Sequence, residues 1–166
     1  MFKDLFNALF MESKELTYSR EIAKHLATIL LAMPQDRLTE GNIYNLHPQV
    51  LSLVKRLILE CGENLTIVST LRTFKEQERL YAQGRTTTGA IITNARAGES
   101  YHQWALALDF RFTGDPNAPY WRWKKVGELW ESYGGIWGGR FDGLNDLGHL
   151  EWHPDFSWED LKPHFI

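Results

Sequence analysis

The sequence predicts an α+β domain. Stretches with helical apolar spacing are interspersed with short β-branched runs, and no regular strand–helix–strand rhythm links them. No internal repeat or low-complexity tract interrupts the chain, and 166 residues suit one core.

The elements follow in order. Residues 1–45 read as a helical N-terminal extension packed on the core, with Ser19 capping a helix that Pro34 ends and that carries Ile22, Leu26, Ile29 and Leu30 on one face. A second helix is expected from His47-Pro48, since proline suits a first helical turn. Val50, Val54, Leu57, Ile58 and Cys61 form its apolar side, and Gly62 its stop. Leu65 to Leu71 is β-branched and reads as a strand. Thr73 then caps a short helix through Gly84, with Phe74, Gln77, Leu80 and Tyr81 along one side. Arg85 to Glu99 is polar and without period, a long loop of the kind that often carries function. Leu106 to Phe112 is the next strand, and Pro119 opens a helix striped by Trp123, Val126, Trp130 and Tyr133. Gly134-Gly135 ends it, Gly138-Gly139 makes a further turn, and a last strand is expected from His149 to His153.

Composition narrows the chemistry. A net charge of -3, with no basic run interleaved with aromatics, offers no field that would draw in nucleic acid. Cys61 is the only cysteine, so an intramolecular disulfide and a Cys-rich metal site are both excluded. Any metal would have to be held by histidine and carboxylate. Met1 to Leu16 lacks the features of a secretory signal, and no apolar run is long enough to span a bilayer. The expectation is therefore a chain made in the cytoplasm, without stable membrane insertion and acting as a monomer.

Two clusters concentrate metal-binding side chains. One runs Ser100-Tyr101-His102 to Leu108-Asp109, the other Asp146-Leu147-Gly148-His149-Leu150-Glu151-Trp152-His153. A catalytic zinc site commonly takes three protein ligands and keeps one position open. Spacing alone leaves each histidine an equally plain role as a packed or solvated imidazole. It also leaves register open: His149, Glu151 and His153 lie two apart, so on a strand all three face one side.

The run Arg72-Thr73-Phe74-Lys75-Glu76-Gln77, the run Leu80 to Thr86, Trp137-Gly138-Gly139 and the two clusters together resemble the VanY-like zinc metallopeptidases over about Leu46 to Trp152. Within that group the chain is most similar to the L-alanyl-D-glutamate endopeptidases of phage endolysins and bacterial autolysins. The resemblance implies a small, mainly antiparallel sheet packed with helices, like hedgehog and D-Ala-D-Ala peptidase domains, and makes residues 46–166 a zinc peptidase domain. It also implies His102, Asp109 and His149 as zinc ligands, Asp146 as general base, Arg72 as the cation that binds substrate or steadies the oxyanion, and Ser100 as a residue shaping the site. The expected substrate is the peptidoglycan stem peptide, cut between L-Ala and D-Glu by a phage or prophage lysis enzyme that reaches the wall after release. The alternatives are a D-Ala-D-Ala carboxypeptidase and a non-catalytic wall-binding module of the same fold. Glu151 as base with His153 as ligand is a second register that the spacing allows. The chain departs from the family pattern at Ala105 (usually Gly), Gly148 (usually Pro), Leu150 (usually Phe) and Arg140 (often acidic).

Overall fold

The computed structural model describes residues 42–162, so the helix expected from Ser19 lies outside the described residues. At the start of this stretch Asn42 caps a single 3-10 turn, Ile43–Asn45, by accepting from the Tyr44 amide, and its carbonyl accepts a 3.0 Å bond from the Thr70 hydroxyl. Helix α1 is Pro48–Glu60, with the His47 ring accepting from the Gln49 amide at 3.3 Å. Val50, Val54 and Leu57 are buried on it, and Cys61 follows. Ile58, expected on the same face, is 42% exposed. It sits about 100° round the helix from Leu57, off the stripe that the other apolar residues define.

Four short strands make one antiparallel sheet: β1 (Leu65–Ser69), β2 (Ala107–Phe112), β3 (Ile136–Trp137) and β4 (His149–Glu151). Their spatial order is β1-β2-β4-β3, so β2 and β4 are interior. β1 pairs with β2 from Leu65 opposite Phe112 to Ser69 opposite Asp109, with an irregularity between Ile67 and Ser69. Across β2 and β4, Asp109 lies opposite His149 and Ala107 opposite Glu151. Because side chains alternate along a strand, Leu108, Phe110 and Phe112 then point to the other face.

That other face is the core. Leu108, Phe110 and Phe112 join Val50, Val54 and Leu57 of α1, and Val126 and Trp130 of α3 (Tyr120–Ser132), in one buried cluster. Trp123 packs its ring at 4.7 Å from Phe112 and 5.3 Å from Phe110. The large aromatics also satisfy their polar edges. Trp130 Nε1 donates to the Glu151 carbonyl and Trp137 Nε1 to the Leu147 carbonyl, both at 2.9 Å, which ties helix α3 and strand β3 to the segment around β4. Helix α2 (Phe74–Ala82) starts at Thr73, whose hydroxyl accepts from the Glu76 amide at 3.1 Å. A short helix α4 (Trp158–Leu161), held by a Ser157–Asp160 capping box, closes the described chain. No helix among the described residues is long and apolar enough to cross a membrane.

Candidate metal centre and cleft

The face of the sheet away from the core carries the site. His102 comes from the 3-10 helix Tyr101–Trp104, Asp109 from β2 and His149 from β4. The turn between the first two is set by Ala105, fully buried in the left-handed region at φ 58° and ψ 25°, whose amide bonds back to the His102 carbonyl. Antiparallel pairing then places Asp109 directly across from His149.

The result is a triangle of donor atoms. Asp109 Oδ1 lies 3.2 Å from His102 Nε2 and 3.0 Å from His149 Nδ1, and the two nitrogens are 3.3 Å apart. Tetrahedral zinc with ligands at about 2.0–2.1 Å has edges of about 3.3 Å, so the donor set and its spacing fit such an ion. Each imidazole is also oriented from behind. His102 Nδ1 is 2.6 Å from the Thr70 carbonyl, and His149 Nε2 is 3.0 Å from Glu151 Oε2. Both rear contacts accept an N–H, so that with a metal bound the facing nitrogens would present their lone pairs, the outer-shell arrangement expected of metal-binding histidines.

Electrostatics follow from burial and pairing. Burial would raise the Asp109 carboxyl, yet the two imidazoles hold it well below the usual carboxylate range. Burial lowers His102 despite Asp109 beside it. For His149, burial is outweighed by hydrogen bonds to both Asp109 and Glu151, and the metal-free imidazole is raised to about 10. Glu151, opposed by burial, is lowered to about 2 because His149 and His153 both bond it.

Around the triangle opens a cleft of about 550 Å³, lined among others by Arg72, Ser100, His102, Asp109, Asp146, His149 and Trp158. Arg72 is the sole Lys or Arg among the lining residues. Its guanidinium donates to Gln77 Oε1 at 2.9 Å and to Ser69 Oγ at 3.3 Å, and lies 3.4 Å from Asp109 Oδ2. Its own amide donates to the His102 carbonyl at 3.1 Å. Asp146 sits in a tight turn: its amide donates to the Gly138 carbonyl, its carbonyl accepts from the His149 amide, and its Oδ1 accepts from the Gly148 amide at 3.2 Å. Gly148, where proline is usual in the resembled family, thus supplies an N–H that proline lacks.

Arg72, Ser100, His102, Asp109, Asp146 and His149, singled out through the family resemblance, therefore all line the cleft. The second register is not the one the geometry brings together. His153 lies past the end of β4, stacked on Tyr101 at 3.7 Å, with Nδ1 3.0 Å from the Phe156 carbonyl and Nε2 2.9 Å from Glu151 Oε1. Glu151, with both oxygens taken by histidines, stands behind His149. Sequence reasoning missed the Thr70 carbonyl, which belongs to the backbone and has no signature, and Trp158 on α4, a helix too short to show a period.

The chain belongs to the M15 peptidase family. A family model described as D-alanyl-D-alanine carboxypeptidase matches residues 93–152. The peptidoglycan L-alanyl-D-glutamate endopeptidase CwlK of Bacillus subtilis (strain 168) is 33% identical over 133 residues, covering 73% of this chain and 80% of the relative. Among solved structures, the L-Ala D-Glu endopeptidase ChiX of Serratia marcescens superposes with a TM-score of 0.51 at 17% identity, over 70% of this chain and 87% of that one. The vancomycin-resistance D,D-dipeptidase VanXYg, solved with a D-Ala-D-Ala phosphinate analog, gives 0.53 at 18% identity, over 76% of this chain and 63% of its own. Both share the fold.

Proposed function

We propose that this chain is a zinc-dependent peptidoglycan endopeptidase that hydrolyses the L-Ala–D-Glu bond of the stem peptide. The observation that carries the reading is the convergence of His102, Asp109 and His149 within 4.8 Å, on the wall of a cleft, in a chain one-third identical to an L-alanyl-D-glutamate endopeptidase. Those three side chains would hold the ion, and zinc there supplies Lewis acidity toward the scissile carbonyl and the attacking water.

The protein's own groups do the rest. Asp146, in the cleft and free of the histidine pairing that occupies Glu151, takes the proton from the attacking water and passes it to the leaving amine. Arg72 offers charge-assisted hydrogen bonds to the developing oxyanion or to a substrate carboxylate. Ser100, at the head of the 3-10 helix that carries His102, shapes the adjoining wall.

Mass spectrometry of fragments released from purified sacculi, with and without a zinc chelator, tests the reading. New L-Ala C-termini and D-Glu N-termini that vanish on chelation are expected. Release of D-Ala instead would place the chain with the carboxypeptidases, the description attached to the family model that matches residues 93–152. No fragments from folded, zinc-loaded protein would leave wall binding without cleavage. Asp146→Ala is expected to cut turnover by about 10²–10⁴-fold with zinc retained; unchanged turnover would remove Asp146 from the mechanism.

A further inference from the structure

Gln77 is the buried residue of helix α2, with none of its surface exposed. A buried primary amide is costly unless its donors and acceptors are met, and here the partners are informative. Oε1 accepts from Arg72 Nη1 at 2.9 Å. Nε2 donates to the Ala95 carbonyl at 2.7 Å and lies 3.4 Å from Thr93 Oγ1. One amide therefore touches the cation of the cleft on one side and the wall of the cleft on the other, since Thr93 and Ala95 both line it.

We infer that Gln77 is a positioning residue, whose amide locks the Arg72 guanidinium and the 93–95 segment into one unit that presents a fixed cleft to the substrate. The task given to Arg72 rests on the peptidase reading above; the locking does not. The segment belongs to a long stretch without regular structure, and it is pinned from outside as well. Arg85 donates to the Thr93 carbonyl at 3.0 Å and to Asn94 Oδ1 at 3.1 Å. Gln77 supplies the matching inner attachment. The chemistry selects glutamine, because a neutral amide accepts from a guanidinium and donates to a carbonyl at once. Glutamate would keep the Arg72 contact but set an oxygen against the Ala95 carbonyl. Methionine would keep neither.

The test compares zinc-loaded parent, Gln77→Met and Gln77→Glu by amide hydrogen exchange over residues 93–95 and by steady-state kinetics on a soluble stem peptide, with zinc content as control. Exchange is expected to rise about tenfold or more in both variants, the effect of losing the hydrogen bond from a buried amide to the half-buried Ala95 carbonyl. KM is expected to rise about tenfold or more in Gln77→Met and clearly less in Gln77→Glu, where the guanidinium keeps its acceptor. Zinc content should stay at the parent value. Exchange within twofold of the parent in both variants overturns the lock, and equal KM across all three overturns the link to Arg72. If Gln77→Met does not fold, Gln77→Glu still decides the exchange result. If the parent cleaves no wall peptide, the peptidase reading fails while the exchange comparison still stands or falls by itself.

Discussion

His149 is caught between two carboxylates, Asp109 Oδ1 at 3.0 Å and Glu151 Oε2 at 3.0 Å, and this fixes how the metal-free site responds to pH. A base whose pKa is raised from 6.5 to about 10 contributes stability that is complete below 6.5 and lost as pH rises through 10. Glu151, lowered from 4.5 to about 2, contributes above 4.5 and loses that contribution as pH falls through 2. His102, lowered by burial, costs stability below 6.5, where the unfolded chain binds a proton that the folded ring does not. The metal-free protein is therefore expected to melt highest near pH 6.5 and to weaken toward alkaline pH. If His149 ligates zinc as proposed, the ion must displace its proton, so binding at neutral pH should release it. Calorimetry in buffers of different ionisation enthalpy checks this, and a buffer-independent binding enthalpy would contradict it. At this scale the sequence was readable where a side chain carries the chemistry. His102, Asp109 and His149 stand in the motifs that carry the family resemblance, and all three meet. It was unreadable where backbone does the work. The methyl at Ala105 is visible as a departure from glycine, but its left-handed φ of 58° is not. Side chains seldom take that conformation, and it costs about 1–2 kcal/mol.

Elements long enough to show a period matched expectation within a few residues: α1, α2, α3, β1 and β2 all lie where apolar spacing or β-branching put them. β3 has two residues and α4 four, too few to register any period. β4 is shorter than expected because the chain leaves the sheet after Glu151, and this separates His149 from His153 in role as well as place. The 3-10 turn Gly138–Arg140, expected simply as a turn, proves to be a support for the site. A β-carbon at Gly138 would stand 2.5 Å from the Asp146 carbonyl oxygen and 2.9 Å from His149 Cβ. Neither neighbour is a flexible chain end. Gly138→Ala is expected to push the Asp146–His149 turn outward, lowering zinc affinity and cutting turnover by about 10²-fold, the effect of roughly 1 Å of misplacement. Metal titration alongside kinetics checks both, and parental values would show that the turn absorbs the methyl.

Over the whole described molecule, the donors of the site come from three elements that share no local structure: a 3-10 helix, β2 and β4. An ion binding all three acts as a cross-link on the folded state alone. Saturating zinc is expected to raise the melting temperature by on the order of 10 °C over chelator-treated protein. Asp109→Ala should lose that response. An equal melting temperature with and without zinc would mean that the triangle does not hold the ion. The fold class was legible at this scale because mixed helices and strands without βαβ rhythm leave few alternatives. The strand order was not, since placing β4 between β2 and β3 depends on pairings far apart in sequence.

That strand order also sets a timetable. His102 and Asp109 are seven positions apart, whereas His149 follows Asp109 by 40. A chain still emerging from the ribosome carries two donors long before it has the third, and β4 finds its place only after α3 and β3 have been made. Two donors grip zinc weakly, so a half-made molecule has neither a complete site nor a closed cleft. On the peptidase reading, hydrolytic competence waits until the sheet is finished, and a fragment truncated ahead of His149 is expected to be inert.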